Sequence, residues 1–387
     1  MLITSLYSVK TLKPYHKMFD FVTNILKGAS KGVGIEINPD RISLAQVTKK
    51  GQQYKLLKYN SLEVPENIFE EGQIVNSEGL AELIEQLLKD AKIRPKQIAT
   101  AVPMREAIIR ILPIPAELND QELKDTVLNH EASLYLPYPK EEVDLDYQKL
   151  GYFMDDDGIE KVQVLLVATR KENTDIYLET FQQVGMDINV LEINSFSLIR
   201  TIQDQLKTYS SNEAVVLVDI EFDSTEIAII VDGVPQFSRT IPIGTYQMQV
   251  ALAQAMNLPT SKNTEILQDI TIPNNPDQTA SSSTSSQTWI NPGMDSLLKV
   301  LGELIDELRR SVNFYLNQSG DMEMVQILLA GPGSGLSQID EFFTKKLNIP
   351  ATKVDPVVSL GITIKDELSE MERFGLGTVL GLAMRMS

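Results

Sequence analysis

From Val33 onward the chain alternates short apolar runs with polar breaks. Residues 33–64, VGIEINPDRISLAQVTKKGQQYKLLKYNSLEV, spell a short apolar strand, a polar loop, an alternating strand, a Lys-Gly turn and a third strand, which predicts a three-stranded meander. The same grammar returns over 215–243, VVLVDIEFDSTEIAIIVDGVPQFSRTIPI, with Asp232-Gly233 as the tight turn between its second and third strands. Aligning the two segments sets Glu36 over Asp219 and Asn38 over Glu221. Each acid closes a first strand, and a polar loop follows it. A third pattern runs over 324–346, where MVQILLA, then Gly331-Pro332-Gly333-Ser334-Gly335, then LSQIDEFFTKKL read as strand, glycine loop and helix.

Between the two meanders, residues 106–185 predict a compact module. It has a strand over Ala107 to Ile114, a helix opened by Asn119 or Asp120, strands over Val143 to Phe153 and Lys161 to Thr169, and a helix to Gln183. Asp155-Asp156-Asp157-Gly158 is a hairpin turn on this reading, because an EF-hand loop needs its acids on alternate positions. Leu297, Leu301, Leu304, Leu308 and Val312 step by four and three and predict one buried face of a long helix. Residues 271–293, rich in Ser, Thr, Pro, Asn and Gln with one tryptophan, Trp289, read as a mobile loop. Gly375, Gly377 and Gly381 in GLGTVLGLAMR would let a last helix pack closely.

Charge narrows the function. Thirty-five Lys and Arg face 53 Asp and Glu, a formal net charge of -18, which argues against a dedicated nucleic-acid binder. No cysteine means no disulfide and no thiolate, and two histidines, His16 and His130, make no His-rich metal centre. No apolar stretch approaches roughly 18 residues, so the expectation is a soluble, cytoplasmic protein. The basic exception is residues 1–33, with five lysines and one acid. Met18, Phe21, Val22 and Ile25 could form an apolar helical stripe there against an anionic membrane, but a poorly ordered leader is the favoured reading, and Met18 is an alternative start. No apolar core or small-residue cleavage site of a secretory signal follows the lysines.

If the two meanders face one another, Glu36 and Asp219 can hold the waters of a magnesium ion while the loop amides cradle phosphate oxygens. The glycine loop suits close approach of a ligand. It is neither a P-loop, lacking Gly-Lys-Ser/Thr, nor a dinucleotide fingerprint, since Leu336 stands where the third glycine belongs.

Meander, second meander, then glycine loop is an order that resembles the actin-like ATPases, and from about Met18 the chain resembles the type IV pilus assembly protein PilM family. The stretches that carry the resemblance are RILPIPAELNDQELKDTVLNHEASLYLPYPKEEVDLDYQKLG (110–151), VLLVATRKENTDIYLETFQQVGMDINVLEINSFSLIRT (164–201) and IDELRRSVNFYLNQSG (305–320). The resemblance implies an α/β, actin-like (ribonuclease H-like) two-domain fold with duplicated β-hairpin/α units and an inserted 1C-type αβ module. The expected division is a basic segment at 1–32, a first domain at 33–105 and 186–212, the module at 106–185, and a second domain at 213–245 and 320–374. A helical 2B-type part spans 246–319, and a hinge helix spans 375–387. In PilM and the division protein FtsA, a module at this place serves protein contact, and its removal here is expected to leave a foldable nucleotide-binding body.

The resemblance implies ATP or ADP as ligand, with contacts at Glu36, Asn38, Asp219, Glu221, Ser224, Gly244, Glu307, Arg310, Ser311, Gly331, Gly333, Ser334 and Gly335. Asp219 and Glu36 would hold Mg through water. Glu307, Arg310 and Ser311 are placed there as a base-binding helix; an i,i+3 surface ion pair between Glu307 and Arg310 is an equal alternative. Actin-like ATPases usually carry Asp and then Gly in both loops, whereas this chain has Glu36 with Asn38 and Asp219 with Glu221. A carboxylate about 4 Å from a phosphate charge costs about 1 kcal/mol in water and about 4 kcal/mol at an effective dielectric of about 20, so at most slow ATP hydrolysis is expected. No catalytic residue is named.

The implied function is a cytoplasmic component of the type IV pilus inner-membrane assembly complex, peripheral to the membrane through a PilN-like protein. That protein's tail would lie between the first domain and residues 106–185, and pilus motor proteins or self-association are further candidate contacts. The alternatives are an FtsA-like filament former and, less favoured, a sugar or acid kinase. The filament reading calls for a carboxyl-terminal linker and membrane helix, whereas the sequence stops at Met386-Ser387.

Overall fold

The computed structural model describes residues 32–273 and 292–387, apart from positions 52, 156, 263, 321 and 365–367. The lysine-rich opening segment with His16, and the Ser-rich stretch around Trp289, lie outside the described residues.

Two five-stranded sheets are wound alike. In the first half, β1 (Val33–Ile37), β2 (Arg41–Lys50) and β3 (Gln53–Glu63) form the antiparallel meander. A small hairpin of β4 (Phe69–Glu70) and β5 (Gln73–Ile74) leads to helix α1 (Ser77–Asp90) and to β6 (Ile98–Val102), which returns parallel to β1. The chain then leaves to build β7 (Ala107–Pro115), β8 (Val143–Met154) and β9 (Glu160–Arg170), a sheet of order β7-β9-β8. It comes back through helix α2 (Lys171–Gln183) to β10 (Val190–Ile193), giving the order β10-β6-β1-β2-β3. The second half repeats this with β11 (Glu213–Ile220), β12 (Thr225–Val231) and β13 (Val234–Ile241), then helices α3 (Thr245–Ala255) and α4 (Pro292–Leu316), then β14 (Glu323–Ala330) and β15 (Ala351–Lys353). Its order, β13-β12-β11-β14-β15, is the same plan.

Local chemistry explains the repeat. Asp232 and Gly233 both take positive φ, 54° and 76°, as a two-residue type I′ turn requires, and this sets Val231 opposite Val234. β1 and β11 are covered on both faces, so they read as nearly continuous apolar runs. Glu213 opens β11 at a half-buried end, whereas Glu36 and Asp219 interrupt the runs and are both buried. The predicted stripe of α4 is buried throughout and packs with Val216, Val218 and Ile229.

The inserted module is less separable than its sequence pattern suggests. Along β9, Val164 and Leu166 join the module's own core with Leu112, Leu123 and Val127, whereas Leu165 and Val167 face the core of the first half. Helix α2 adds Tyr177 and Phe181 to that first-half core beside Leu87. Removing residues 106–185 would therefore strip two buried aromatics from the remaining body, at about 3–5 kcal/mol for a residue such as Phe181 alone. The expectation of a foldable remainder is corrected accordingly. The hairpin turn at Asp155 does form, with its carboxylate accepting the backbone amides of Asp157 and Ile159.

The last helix, α5 (Gly377–Arg385), lies against β1 and β2 and against the helix Asn194–Thr201. The contact depends on glycines from both sides. A Cβ on Gly34 would stand 2.4 Å from the amide nitrogen of Ala383, and one on Gly381 would stand 1.9 Å from the carbonyl oxygen of Ser197. Arg200 clamps the same junction, donating to both carboxylate oxygens of the buried Glu192 at 2.8 and 2.7 Å and to the Gly381 carbonyl at 2.8 Å. No described helix is long and apolar enough to cross a membrane. Replacing Gly381 with alanine should cost about 3 kcal/mol, because backbone cannot yield as a side chain can. Urea denaturation with an unchanged midpoint would contradict this packing.

Candidate functional site

The first strands of the two meanders end close together. Asn38, in the loop after β1, donates through Nδ2 to Glu36 Oε1 and to Glu221 Oε2 of the other half, each at 3.2 Å. One amide thus ties together acids from both copies of the repeat. Asp219 stands in register with Glu226 on β12 and Ala330 on β14. Neither oxygen of the buried Asp219 carboxylate, nor Oε2 of Glu226, has a hydrogen-bond donor among the described residues. Such orphaned oxygens are costly unless a proton or a cation answers them.

The electrostatics follow from that crowding. Burial, and then the neighbouring Glu221, hold the Glu36 carboxyl well above its usual range. Asp219 is raised by burial and by Glu226, and Glu221 by burial and by Asp219. Asp219 and Glu221 can share a hydrogen bond only when one of them carries a proton, which is what two crowded carboxylates favour. Glu226 is pushed up to about 7 by burial, although its Oε1 accepts the backbone amide of Met104 at 3.0 Å across the junction of the halves. The site as described therefore holds less negative charge than its formula implies, and the full repulsion assigned to Glu221 from sequence applies only to its ionised form.

The glycine loop lies against this cluster with its side-chain directions pointing inward. A Cβ on Gly331, whose φ is 76°, would stand 2.5 Å from Asp219 Oδ1; one on Gly333 would stand 2.2 Å from Ile220 Cγ2, and one on Gly335 2.7 Å from the backbone of Met371. Ser334 is buried and donates to the Gly331 carbonyl at 2.8 Å. A side chain at Gly333 would therefore collide with Ile220 before it could meet a ligand. Gly244 is likewise needed for packing, since a Cβ there would meet the Phe222 carbonyl oxygen at 2.4 Å. The first amides of α3 are spent on the same loop, Thr245 donating to the Glu221 carbonyl and Tyr246 to the Phe222 carbonyl, both at 2.9 Å.

Glu307, Arg310 and Ser311 are not gathered with the others. Glu307 pairs with Arg310 and accepts from Arg239 at 2.6 Å, and Arg239 also donates to the buried Ser311 hydroxyl at 3.2 Å. Arg239 belongs to β13, the edge strand three positions from β14, whose end carries the glycine loop. At about 4.8 Å per strand that is roughly 14 Å, so these residues stand apart from the acid cluster, and the ion-pair alternative is the arrangement they adopt. Ser224 is buried beside Asp223, to which its hydroxyl donates at 3.1 Å.

Two residues escaped the sequence reading. Arg105 follows the β6 strand and grips Asp223 at 3.1 Å while donating to the Gly72 carbonyl at 2.6 Å. Glu226 is a charged residue opening an otherwise apolar strand, a visible signal whose register opposite Asp219 only the sheet supplies. Among the described residues no group of three acids or histidines forms a ready metal site.

The raised carboxyl sets a pH dependence. Glu226 holds its proton in the folded protein from its ordinary 4.5 up to about 7, so its contribution to stability is complete below about pH 4.5 and is lost as pH rises through about 7. Glu226→Gln keeps an acceptor for Met104 and never ionises. It should recover up to about 3 kcal/mol of the stability lost between pH 5 and pH 8. Denaturation curves at both pH values with identical losses for the two proteins would refute the assignment.

Comparison with known proteins finds the same fold in a solved structure. A PilM–PilN type IV pilus biogenesis complex contains a chain that superposes with a TM-score of 0.75 at 24% identity, over 92% of this chain and 98% of that one. The ethanolamine utilization protein EutJ from Carboxydothermus hydrogenoformans matches with a TM-score of 0.49 at 13% identity, over 93% and 91%. MreB5 of Spiroplasma citri, bound to ADP, matches with 0.44 at 11%, over 85% and 94%. The family model for type IV pilus assembly protein PilM matches residues 34–387, and the chain, an α/β protein, belongs to that family.

Proposed function

We propose that this protein is a nucleotide-binding, actin-like component of the type IV pilus assembly complex that docks the cytoplasmic tail of a PilN-like membrane protein. The observation that carries the nucleotide part is the facing pair of buried acids, Glu36 and Asp219, one from each copy of the repeat, with Gly331 backed against Asp219. ATP or ADP enters the cleft between the halves, displacing the Asn38–Glu221 contact. Asp219 and Glu36 would hold a magnesium ion, and Asn38 would offer its amide to phosphate. The ion supplies the positive charge that lets these carboxyls ionise. Hydrolysis is slow or absent, since Glu221 sets a carboxylate where actin-like ATPases usually carry glycine.

The docking part rests on the family and on a groove of about 330 Å³ between the module and the first half. It is walled by Gly72 to Ile74, by Pro103 and Glu106, and by Asn173, Ile176 and Tyr177 of α2. A short extended tail needs such a preformed, partly apolar groove to offset its ordering entropy. The partner then keeps the protein at the inner membrane.

Calorimetry tests both parts. Asp219→Asn should weaken Mg·ATP binding about 10- to 100-fold without altering tail binding, and Ile176→Asp should do the reverse. Unchanged ATP affinity in the first, or unchanged tail affinity in the second, would remove the corresponding site.

A further inference from the structure

The cleft between the halves and the groove under the module share a wall. A cavity of about 570 Å³ opens beside the second meander's loop and is lined by Phe222, Asp223, Ser224, Arg105 and Gly72, and Gly72 also lines the groove beside α2. The wall carries a run of polar contacts, joined at one point by an ion pair rather than a hydrogen bond. Asn173 of α2 donates to Glu106 Oε2 at 2.8 Å, and Arg105 approaches the other oxygen of the same carboxylate at 3.8 Å. Arg105 then reaches Asp223 at 3.1 Å and holds the Gly72 carbonyl at 2.6 Å. Gly72 has a φ of 75°, and a Cβ there would stand 2.5 Å from Arg105 Nη2 and 2.7 Å from Asp223 Oδ2. The small hairpin is thus drawn in tightly, and only a glycine permits it.

Resting on the functional reading above, we infer that Arg105 is a latch coupling the two sites: a phosphate-bearing ligand between the halves competes with Asp223 and Gly72 for the guanidinium and loosens the wall on which the partner's tail docks. Asp223 lies on the same short loop as Glu221 and Ser224, so an anion seated on that loop arrives within reach of the arginine. Guanidinium binds phosphate in the same bidentate manner as carboxylate, which makes the exchange chemically even-handed. Once Arg105 turns away, the β4–β5 hairpin loses the bond that fixes Gly72, and a tail peptide must order that wall as it binds. Linkage makes the effect reciprocal, with the tail weakening the nucleotide by the same factor.

The test measures the dissociation constant of the partner's tail peptide by calorimetry, with and without saturating Mg·ATP. For the unaltered protein Mg·ATP should weaken the peptide at least fivefold. Arg105→Gln should bind the peptide that weakly already and show no further response, with Mg·ATP raised to whatever concentration saturates the variant. Gly72→Ala, which forces the latch open with the arginine retained, should behave alike. A fivefold response surviving in Arg105→Gln would overturn the latch, as would a native peptide affinity indifferent to Mg·ATP when each ligand binds alone. Failure of the unaltered protein to bind the peptide at all would overturn the functional reading and the latch with it.

Discussion

Four carboxyl groups, Glu36, Asp219, Glu221 and Glu226, are gathered where the two halves of the molecule meet, and what neutralises them governs how the halves sit. Repeating a meander whose first strand ends in an acid brings like charges together once the two copies face each other. The protein answers with the Asn38 amide, the Met104 amide and retained protons. None of these is a full counter-charge. The polar contacts at the junction are therefore modest and exchangeable, with a cation and its anionic ligand as their natural replacement, while Leu217, Ala228 and Ile230 share one buried apolar core with the first half.

Around that exchangeable centre the rest is built to be rigid. Gly34, Gly381 and the Glu192–Arg200 pair lock the last helix onto the first half, while Met371 and Gly375 lie over the glycine loop of the second. A carboxyl-terminal segment so placed spans from one half to the other. In the proposed coupling, Arg105 links the loop after β11 to α2.

The duplicated meander was legible because its signals are local: period-two alternation, the Asp232-Gly233 turn, and an acid at each strand end. The α4 stripe and the module's strands were legible for the same reason. The aim of Gly333 was not, since glycine reads identically whether a ligand or Ile220 occupies the missing side chain's place. Glu307 and Arg310 were ambiguous because their partner, Arg239, lies 68 residues from Glu307 in sequence. The module's division between two cores follows from alternate residues of one strand, Val164 and Leu165, facing different bodies, which an apolar run cannot reveal. Arg105 matters only through contacts made across the fold.

Ionisable protons, held by crowded acids, stand in the place that the proposed metal–nucleotide complex would take. Binding should then expel them. Calorimetric titration with Mg·ATP at pH 7.5, in buffers of different ionisation enthalpy, reads this directly. The account predicts release of on the order of one proton per nucleotide bound, seen as a heat that varies with the buffer. Binding with a heat independent of the buffer would contradict it.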